Sequence, residues 1–559
     1  MEKVMLTKIR LKYEESAKVH LLLDVLLMLL LAAVAVIPAF TGHYYNASSD
    51  AFYHLDRFEN IYQALKSGHL PSLFNFAYSP SNSRVGVAIN AIYPWIPGLI
   101  FVLPRFLIAN PIVALAVGFV ILNLLTMLSA RVLMQTLTKR DWLIWFGIIL
   151  YQFNNFHFVD LYTRSAFGES FAYAWLPLVV AGVIQINEKR PSGKYWLGLG
   201  MGMIINSHVL TLLFALGFVA LYEIIICFTK QLSLQKLWAL LQAAGLALLV
   251  GLYSIVNLVS LYANAKFVEP DRYLFVVDPW SFLQAFVQND MRDTAYWAYG
   301  LPLLLLQVVL TVAVFKSARF KQWGAWIIAG DALTIALFNW WPWDKFSNSA
   351  ISLIQFLGRL NSLIVLCIIV ATVLYFAQRP VRGKWKILLV EGLVCALSLS
   401  GTYHIHQQFL GSSVYHDRLE AKTYDEQLTN RYSFSDYLPV DKQTKKVDYE
   451  TNSPENAQLK ETKRTYNSIT FNVQTNGLAA VNLPVVTYRH INYAILVNGK
   501  VVSSQSENQP RLVLAAGTYT VSVQAKSSVH PVLLSISFLS ILFILVVLVY
   551  RRYRSKRLS

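Results

Sequence analysis

Residues 20–40 read HLLLDVLLMLLLAAVAVIPAF, with Asp24 the only carboxylate in the stretch. A helix that crosses the hydrocarbon core needs about 20 mostly apolar residues, so this stretch predicts a membrane span. Basic residues precede it (Lys3, Lys8, Arg10, Lys12, Lys18) and no small-residue cleavage site follows, which predicts a retained anchor and not a signal peptide. Similar apolar runs recur at 112–136, 142–153, 171–187, 195–229, 236–262, 297–315, 322–339, 351–377, 386–402 and 531–550. The composition agrees. Of 559 residues 55% are hydrophobic and only 14% charged, against roughly 25% charged in soluble domains. So little charge could not cover a soluble surface. Cys227, Cys367 and Cys395 all fall in apolar runs, which predicts neither a disulfide framework nor a cysteine metal site.

The formal net charge of +17 is the second clue. The excess sits in short stretches between apolar runs: the N-terminal residues, Lys139-Arg140, Lys189-Arg190 with Lys194, Lys230 with Lys236, Lys316 to Lys321, Arg379 to Lys386, and Arg551 to Arg557. Positively charged loops stay in the cytoplasm. Parity then requires an even number of crossings before Lys139, so the proline-interrupted stretch 88–108 (Pro94, Pro97, Pro104) forms broken juxtamembrane helices outside. The run 195–229 must cross twice, breaking near Asn206-Ser207-His208. The sum is about twelve transmembrane helices with both termini cytoplasmic. The basic tail reads as stop-transfer charge, so no nucleic-acid partner is expected.

This assignment leaves 41–111, 154–170, 263–296 and 340–350 outside, together with a polar insert at 403–530 carrying 13 Lys/Arg and 11 Asp/Glu. The second half of the insert alternates in strand fashion at 468–473 and 493–497. Asn498-Gly499 reads as a hairpin turn, and Gly517 precedes a strand at 519–523. The domain plan is therefore a transmembrane domain at 1–402, an extracytoplasmic β-sandwich at 403–530, and a final helix with a basic tail at 531–559.

Three outer segments carry charge where charge is costly. In Ser49-Asp50-Ala51-Phe52-Tyr53-His54-Leu55-Asp56-Arg57, helical spacing puts Asp50, His54 and Arg57 on one face. That set suits a general base or a metal ligand, or else an interfacial helix with a local ion pair. Arg164-Ser165-Ala166-Phe167-Gly168-Glu169 sits at the bilayer edge, where charges mark function or an internal pair. Arg359, in Gln355-Phe356-Leu357-Gly358-Arg359, falls in the outer half of its run. There it can hold a lipid phosphate or pair with an acid such as Asp331 or Glu169. His208 is a further candidate, at the turn between two helices.

These segments resemble the GT-C superfamily of integral membrane glycosyltransferases. Asp50-x-x-x-His54-x-x-Arg57, then Gly68-x-Leu70-Pro71 and Ile92-Tyr93-Pro94, are similar to a run in bacterial multi-span proteins labelled 6-pyruvoyl-tetrahydropterin-synthase-related, themselves similar to the lipoteichoic-acid-glycosylating family. Arg164 to Glu169 is similar to a segment of the catalytic subunit of oligosaccharyltransferase, without that segment's aspartate. Gln355-Phe356-x-x-Arg359 is similar to the Q-F-x-W-R segment of the first group, with Gly358 in place of the aromatic.

The resemblance implies a GT-C-like fold in a bacterial plasma membrane. It implies transfer of a sugar from a polyprenyl-phosphate donor to a cell-envelope polymer such as teichoic acid, on the outer face. Asp50 is then the general base. Arg359 is the phosphate clamp, assisted by Arg57 or Arg164, with His54 and His208 as further substrate-binding residues. Glu169 orients the acceptor or, with Asp50, holds a divalent cation (Mg or Mn). Two other classes fit many spans with internal charge: a transporter or lipid flippase, and a non-catalytic scaffold that binds envelope glycans.

Overall fold

In the computed structural model the described residues are 17–48, 50–77, 85–229, 233–268, 274–292, 297–317, 322–347, 349–379, 383, 385–408, 416–431, 437–440, 454–488, 491–504, 508–526 and 530–558. The basic residues Lys3, Lys8, Arg10, Lys12, Lys230, Arg319 and Lys321 lie outside them.

The chain is mostly helical with a separate small β region. Among the described residues seven helical segments are long and apolar enough to cross a membrane: Val19–His43, Pro111–Leu137, Phe167–Asn187, Val209–Phe228, Leu357–Ala377, Trp385–Gln408 and Pro531–Arg554. Several keep large apolar side chains exposed, Leu213, Leu221, Ile225 and Phe228 among them, which is compatible with a lipid-facing surface.

Other apolar runs form shorter or broken helices. The run 236–262, expected to supply one crossing, is two helices, Leu234–Val250 and Leu252–Asn264, bent by 71°. Gly251 allows the bend because a Cβ there would lie 2.4 Å from Ile205 Cγ2. Asn206 then donates to the freed Val250 carbonyl at 3.2 Å and accepts from the Ser254 hydroxyl. The same asparagine ends the helix Gly193–Ile205, and His208 caps Val209–Phe228 by accepting from the Thr211 amide. The break expected at 206–208 is therefore present. Helices Asp141–Gln152, Leu301–Phe315 and Gln322–Ala336 have 12, 15 and 15 residues, fewer than the roughly 20 of a simple span. The proline-rich stretch at 88–108 forms the short helices Ile89–Ile92 and Leu99–Leu107, as its prolines predict.

The charge sorting has a spatial counterpart. Arg131 near the end of one helix pairs with Asp24 near the start of another at 2.5 Å. Arg140 donates to the carbonyls of Phe376 and Arg379, and Arg551 lies over the ring of Tyr195. The basic segments around Lys139-Arg140, Lys189 to Lys194, Arg379 and Arg551 to Arg554 thus come together at one end of the bundle. The segments that follow Ala17–Val36 and precede Phe167–Asn187 stand at the opposite ends of those helices.

The β region holds an antiparallel five-stranded sheet, in spatial order Ala457–Arg464, Ser468–Thr475, Gly517–Ala525, Tyr493–Val497, Lys500–Val502. A two-stranded ribbon, Ala479–Asn482 with Arg511–Leu514, accompanies it. Alternation decides which face is inside: Ile469, Phe471 and Val473 are buried and Asn472 and Gln474 exposed. Asn498 and Gly499 both have positive φ (48° and 79°), the conformation of a two-residue hairpin turn. The insert is also tied to the segment that follows the first long helix. Strand Tyr44–Ser48 pairs with His416–Glu420, and Asn60 donates to the Tyr466 carbonyl at 3.0 Å.

Candidate functional site

Three segments converge beneath the β region. The strand Tyr44–Ser48 runs into Asp50, and it is stitched to a second loop, at 159–166. The Tyr45 and Ser165 hydroxyls share a hydrogen bond of 2.7 Å, the Ser48 hydroxyl donates to the Thr163 carbonyl, and the Asp50 amide donates to the Arg164 carbonyl at 3.2 Å. Asp50 therefore stands, half-buried, at the N-terminus of the helix Ala51–Lys66, where unpaired amides favour a negative charge.

The second loop passes through a π-helical turn, Val159–Thr163, and reverses at Ser165 with φ 53°. Wide turns of this kind recur at functional sites. Here the turn aims Arg164 inward. Its Nη1 donates to Asp160 Oδ1 at 2.6 Å and its Nη2 to Glu169 Oε1 at 3.2 Å.

The third segment corrects an expectation. Arg359 was placed within a long helix starting near 351. Instead it sits in a 3-10 turn, Leu357–Leu360, just before the helix Asn361–Ala377. The cause is Gln355, whose φ of 63° stops helical winding, so the backbone at 355–357 bonds to Phe275. From this turn Arg359 Nε donates to Glu169 Oε1 at 2.8 Å, and Nη1 donates to Gln355 Oε1 at 2.6 Å and the Ile354 carbonyl at 2.8 Å. Of the two acids considered for Arg359, Glu169 is the partner. Asp331 is engaged elsewhere, by Gln307 and Thr311 at 2.8 Å each. Phe356 lies under both guanidiniums, 4.0 Å from that of Arg359 and 4.6 Å from that of Arg164.

The Glu169 carboxylate thus receives two cations. A divalent ion at the same oxygens would be repelled by both guanidiniums. The oxygens of Glu169 are thus already taken by two guanidiniums, and among the described residues no group of three or more His, Cys, Asp or Glu that could hold a metal ion is found.

Tyr93 is the hub that ties the remaining candidates in. Its ring meets His54 edge-on at 5.1 Å, stacks over His208 at 6.3 Å and lies 5.7 Å from the Arg57 guanidinium. Gly168 makes room for it, since a Cβ there would come within 2.7 Å of Tyr93 Cε1. The Tyr93 hydroxyl hydrogen-bonds with Tyr437 and feels the charges of Asp50, Arg359 and Glu169. Burial first, then the Asp50 carboxylate, pushes it up to about 12. The structure therefore brings six of the seven expected residues, Asp50, His54, Arg57, Glu169, His208 and Arg359, to one ring, and Arg164 joins them through Glu169.

Burial sets the protonation states. It draws His208 down to about 4, and it holds His54 well below the usual histidine range with Arg57 adding to the effect. Both rings are neutral at pH 7. Arg57 is 1% exposed, and burial draws it down to about 10, so it stays charged. It rests against the rings of Phe58 and Tyr93 with no carboxylate at ion-pair distance among the described residues. Burial and the Glu169 charge raise Asp160, against the pull of Arg164.

Sequence reasoning missed Asp160, Tyr93 and Tyr437 as site residues. Asp160 was signalled by its place four residues before Arg164. Tyr93 stood in a quoted motif without a role. Tyr437 had no signal, because it reaches the site through tertiary pairing of Val268 with Tyr437 and Leu438. No protein-family model, no curated protein and no solved structure matches the chain.

Proposed function

We propose that this chain is a polytopic membrane glycosyltransferase. It transfers a sugar from a polyprenyl-phosphate-linked donor to a cell-envelope acceptor on the outer face of a bacterial plasma membrane. In this reading the bundle crosses twelve times. The seven long segments and the bent pair are joined by the shorter helices at 141–152, 193–205, 301–315 and 322–336. The basic end and both termini face the cytoplasm.

The observation that carries the reading is the convergence of Asp50, Glu169 and two shared guanidiniums at the end opposite the basic segments. Asp50 takes the proton from an acceptor hydroxyl as its oxygen attacks the anomeric carbon. The bond from that carbon to the lipid phosphate oxygen breaks, and the electron pair leaves on the phosphate. Arg359 receives that charge, assisted by Arg57 and Arg164. A fixed cation in a water-poor site stabilises developing charge without reorganising. Arg57 suits the task because no carboxylate at ion-pair distance already neutralises it among the described residues. Glu169 holds Arg359 and Arg164 in register and orients the acceptor.

The test is Asp50→Asn in proteoliposomes loaded with labelled polyprenyl-phosphate sugar. Loss of a general base costs about 10²- to 10⁴-fold in turnover. Wild-type donor consumption by a folded Asp50→Asn protein would remove Asp50 from that role. Movement of the donor across the bilayer with no loss of its sugar would replace transfer by flipping.

A further inference from the structure

The basic end of the bundle encloses a second polar feature that the proposed chemistry does not use. A cavity of about 1020 Å³ opens between the helices Ala17–Val36, Pro111–Leu137, Phe167–Asn187, Gly193–Ile205 and Pro531–Leu558. Its described lining holds six cationic residues, Arg131, Lys139, Arg190, Arg551, Arg552 and Arg554, and no acid. Two acids ion-pair with members of this set, Asp24 with Arg131 at 2.5 Å and Glu188 with Arg190 at 2.6 Å. The surplus is positive. A smaller cavity of about 230 Å³ shares Arg190 and Arg551 and adds Lys189, Lys194 and Lys236.

Orientation charge alone does not explain this arrangement. Positively charged loops need only lie in the cytoplasm; they need not line a space between helices. Nor does a small soluble anion explain the apolar part of the wall, Leu128, Val132, Trp175, Leu178, Leu199 and Leu548, which stands beside polar residues such as Ser129, Gln135 and Gln185. Cations at the mouth and an aliphatic and aromatic wall behind them match one ligand chemistry, an anionic head group carrying acyl chains.

We infer that this cavity binds an anionic glycerophospholipid of the leaflet at the basic end, with its phosphate against Arg190, Arg551 and Arg554 and a chain along the Trp175 wall. The inference rests on the bilayer embedding proposed above and not on sugar transfer. A chain that binds such lipid but transfers no sugar would leave the site standing.

The experiment uses the full chain in neutral detergent, offered phosphatidylglycerol or phosphatidylcholine, with bound lipid counted by native mass spectrometry. Wild type should retain phosphatidylglycerol preferentially. The triple variant Arg190→Gln, Arg551→Gln, Arg554→Gln should hold it about 100-fold more weakly, at roughly fivefold per cation. Phosphatidylglycerol with brominated chains should quench wild-type tryptophan fluorescence, and Trp175→Phe should reduce that quenching even if the triple variant fails to fold. Equal retention of phosphatidylcholine would overturn the site. So would unchanged affinity in a folded triple variant, displacement of the lipid by inorganic phosphate alone, or quenching indifferent to Trp175.

Discussion

Glu169→Ala takes the shared acceptor away from two guanidiniums that are 5% and 9% exposed. Deleting one partner of a buried ion pair costs about 3–5 kcal/mol, because the other charge is left uncompensated. Here the residual partners limit the loss. Arg164 keeps Asp160, and Arg359 keeps Gln355 and the Ile354 carbonyl. The expected cost is therefore at the low end, about 3 kcal/mol. Glu169→Gln retains an acceptor oxygen and should lose about half as much. The measurement is denaturant unfolding of the detergent-solubilised protein, followed by tryptophan fluorescence. A double-mutant cycle with Arg359→Ala should give a coupling of about 1–3 kcal/mol, since the two side chains touch. A loss below about 1 kcal/mol in Glu169→Ala, together with additivity in the cycle, would refute the claim that this carboxylate organises both arginines.

Other perturbations test separate parts of the site. The folded value of His208, about 4, lies below its ordinary 6.5, so the unfolded chain binds more protons between those limits. Stability present above pH 6.5 should fall as pH drops toward 4, by about 2 kcal/mol at pH 5 from this residue, and His208→Asn should flatten the pH profile of unfolding. Gly168→Ala should displace the Tyr93 ring and cost about 1–3 kcal/mol, read as a lower unfolding midpoint; a neutral result would mean the ring moves freely. Phe356→Leu removes the face that two guanidiniums share and should cost about 1–2 kcal/mol, reduced in an Arg359→Gln background. Gly251→Ala places a methyl 2.4 Å from Ile205 Cγ2; protease sensitivity near Asn206 should rise, and unchanged cleavage would speak against the tight bend.

Much of this was legible because membranes impose coarse rules. Apolar runs located the long helices, prolines marked the broken stretch at 88–108, and polar residues at 206–208 marked a helix break. Alternation and Asn498-Gly499 located strands and their turn. What could not be read was local departure from helix inside apolar sequence. The bend at Gly251 depends on Asn206 satisfying a distant carbonyl. The 3-10 turn at Arg359 depends on backbone pairing of Gln355 with Phe275. Both are decided by partners far along the chain. The same holds for the site. Residue types and spacing identified seven members, but Tyr93 and Tyr437 join through packing between segments hundreds of residues apart. The ion-pair alternatives raised for Arg164 and Arg359 are realised in the geometry.

The pairing of Tyr44–Ser48 with His416–Glu420 has a temporal side. The strand that leads into Asp50 acquires its partner only after about 370 further residues have been synthesised. At usual elongation rates that is roughly 20–70 s. For that interval the first helices can insert and pack, but the strand that registers Asp50 against Arg164 has an open edge. Completion of the site is thus coupled to synthesis of residues 416–420. A nascent chain stalled before 416 would hold most of its helices and lack the strand partner that registers Asp50 against Arg164.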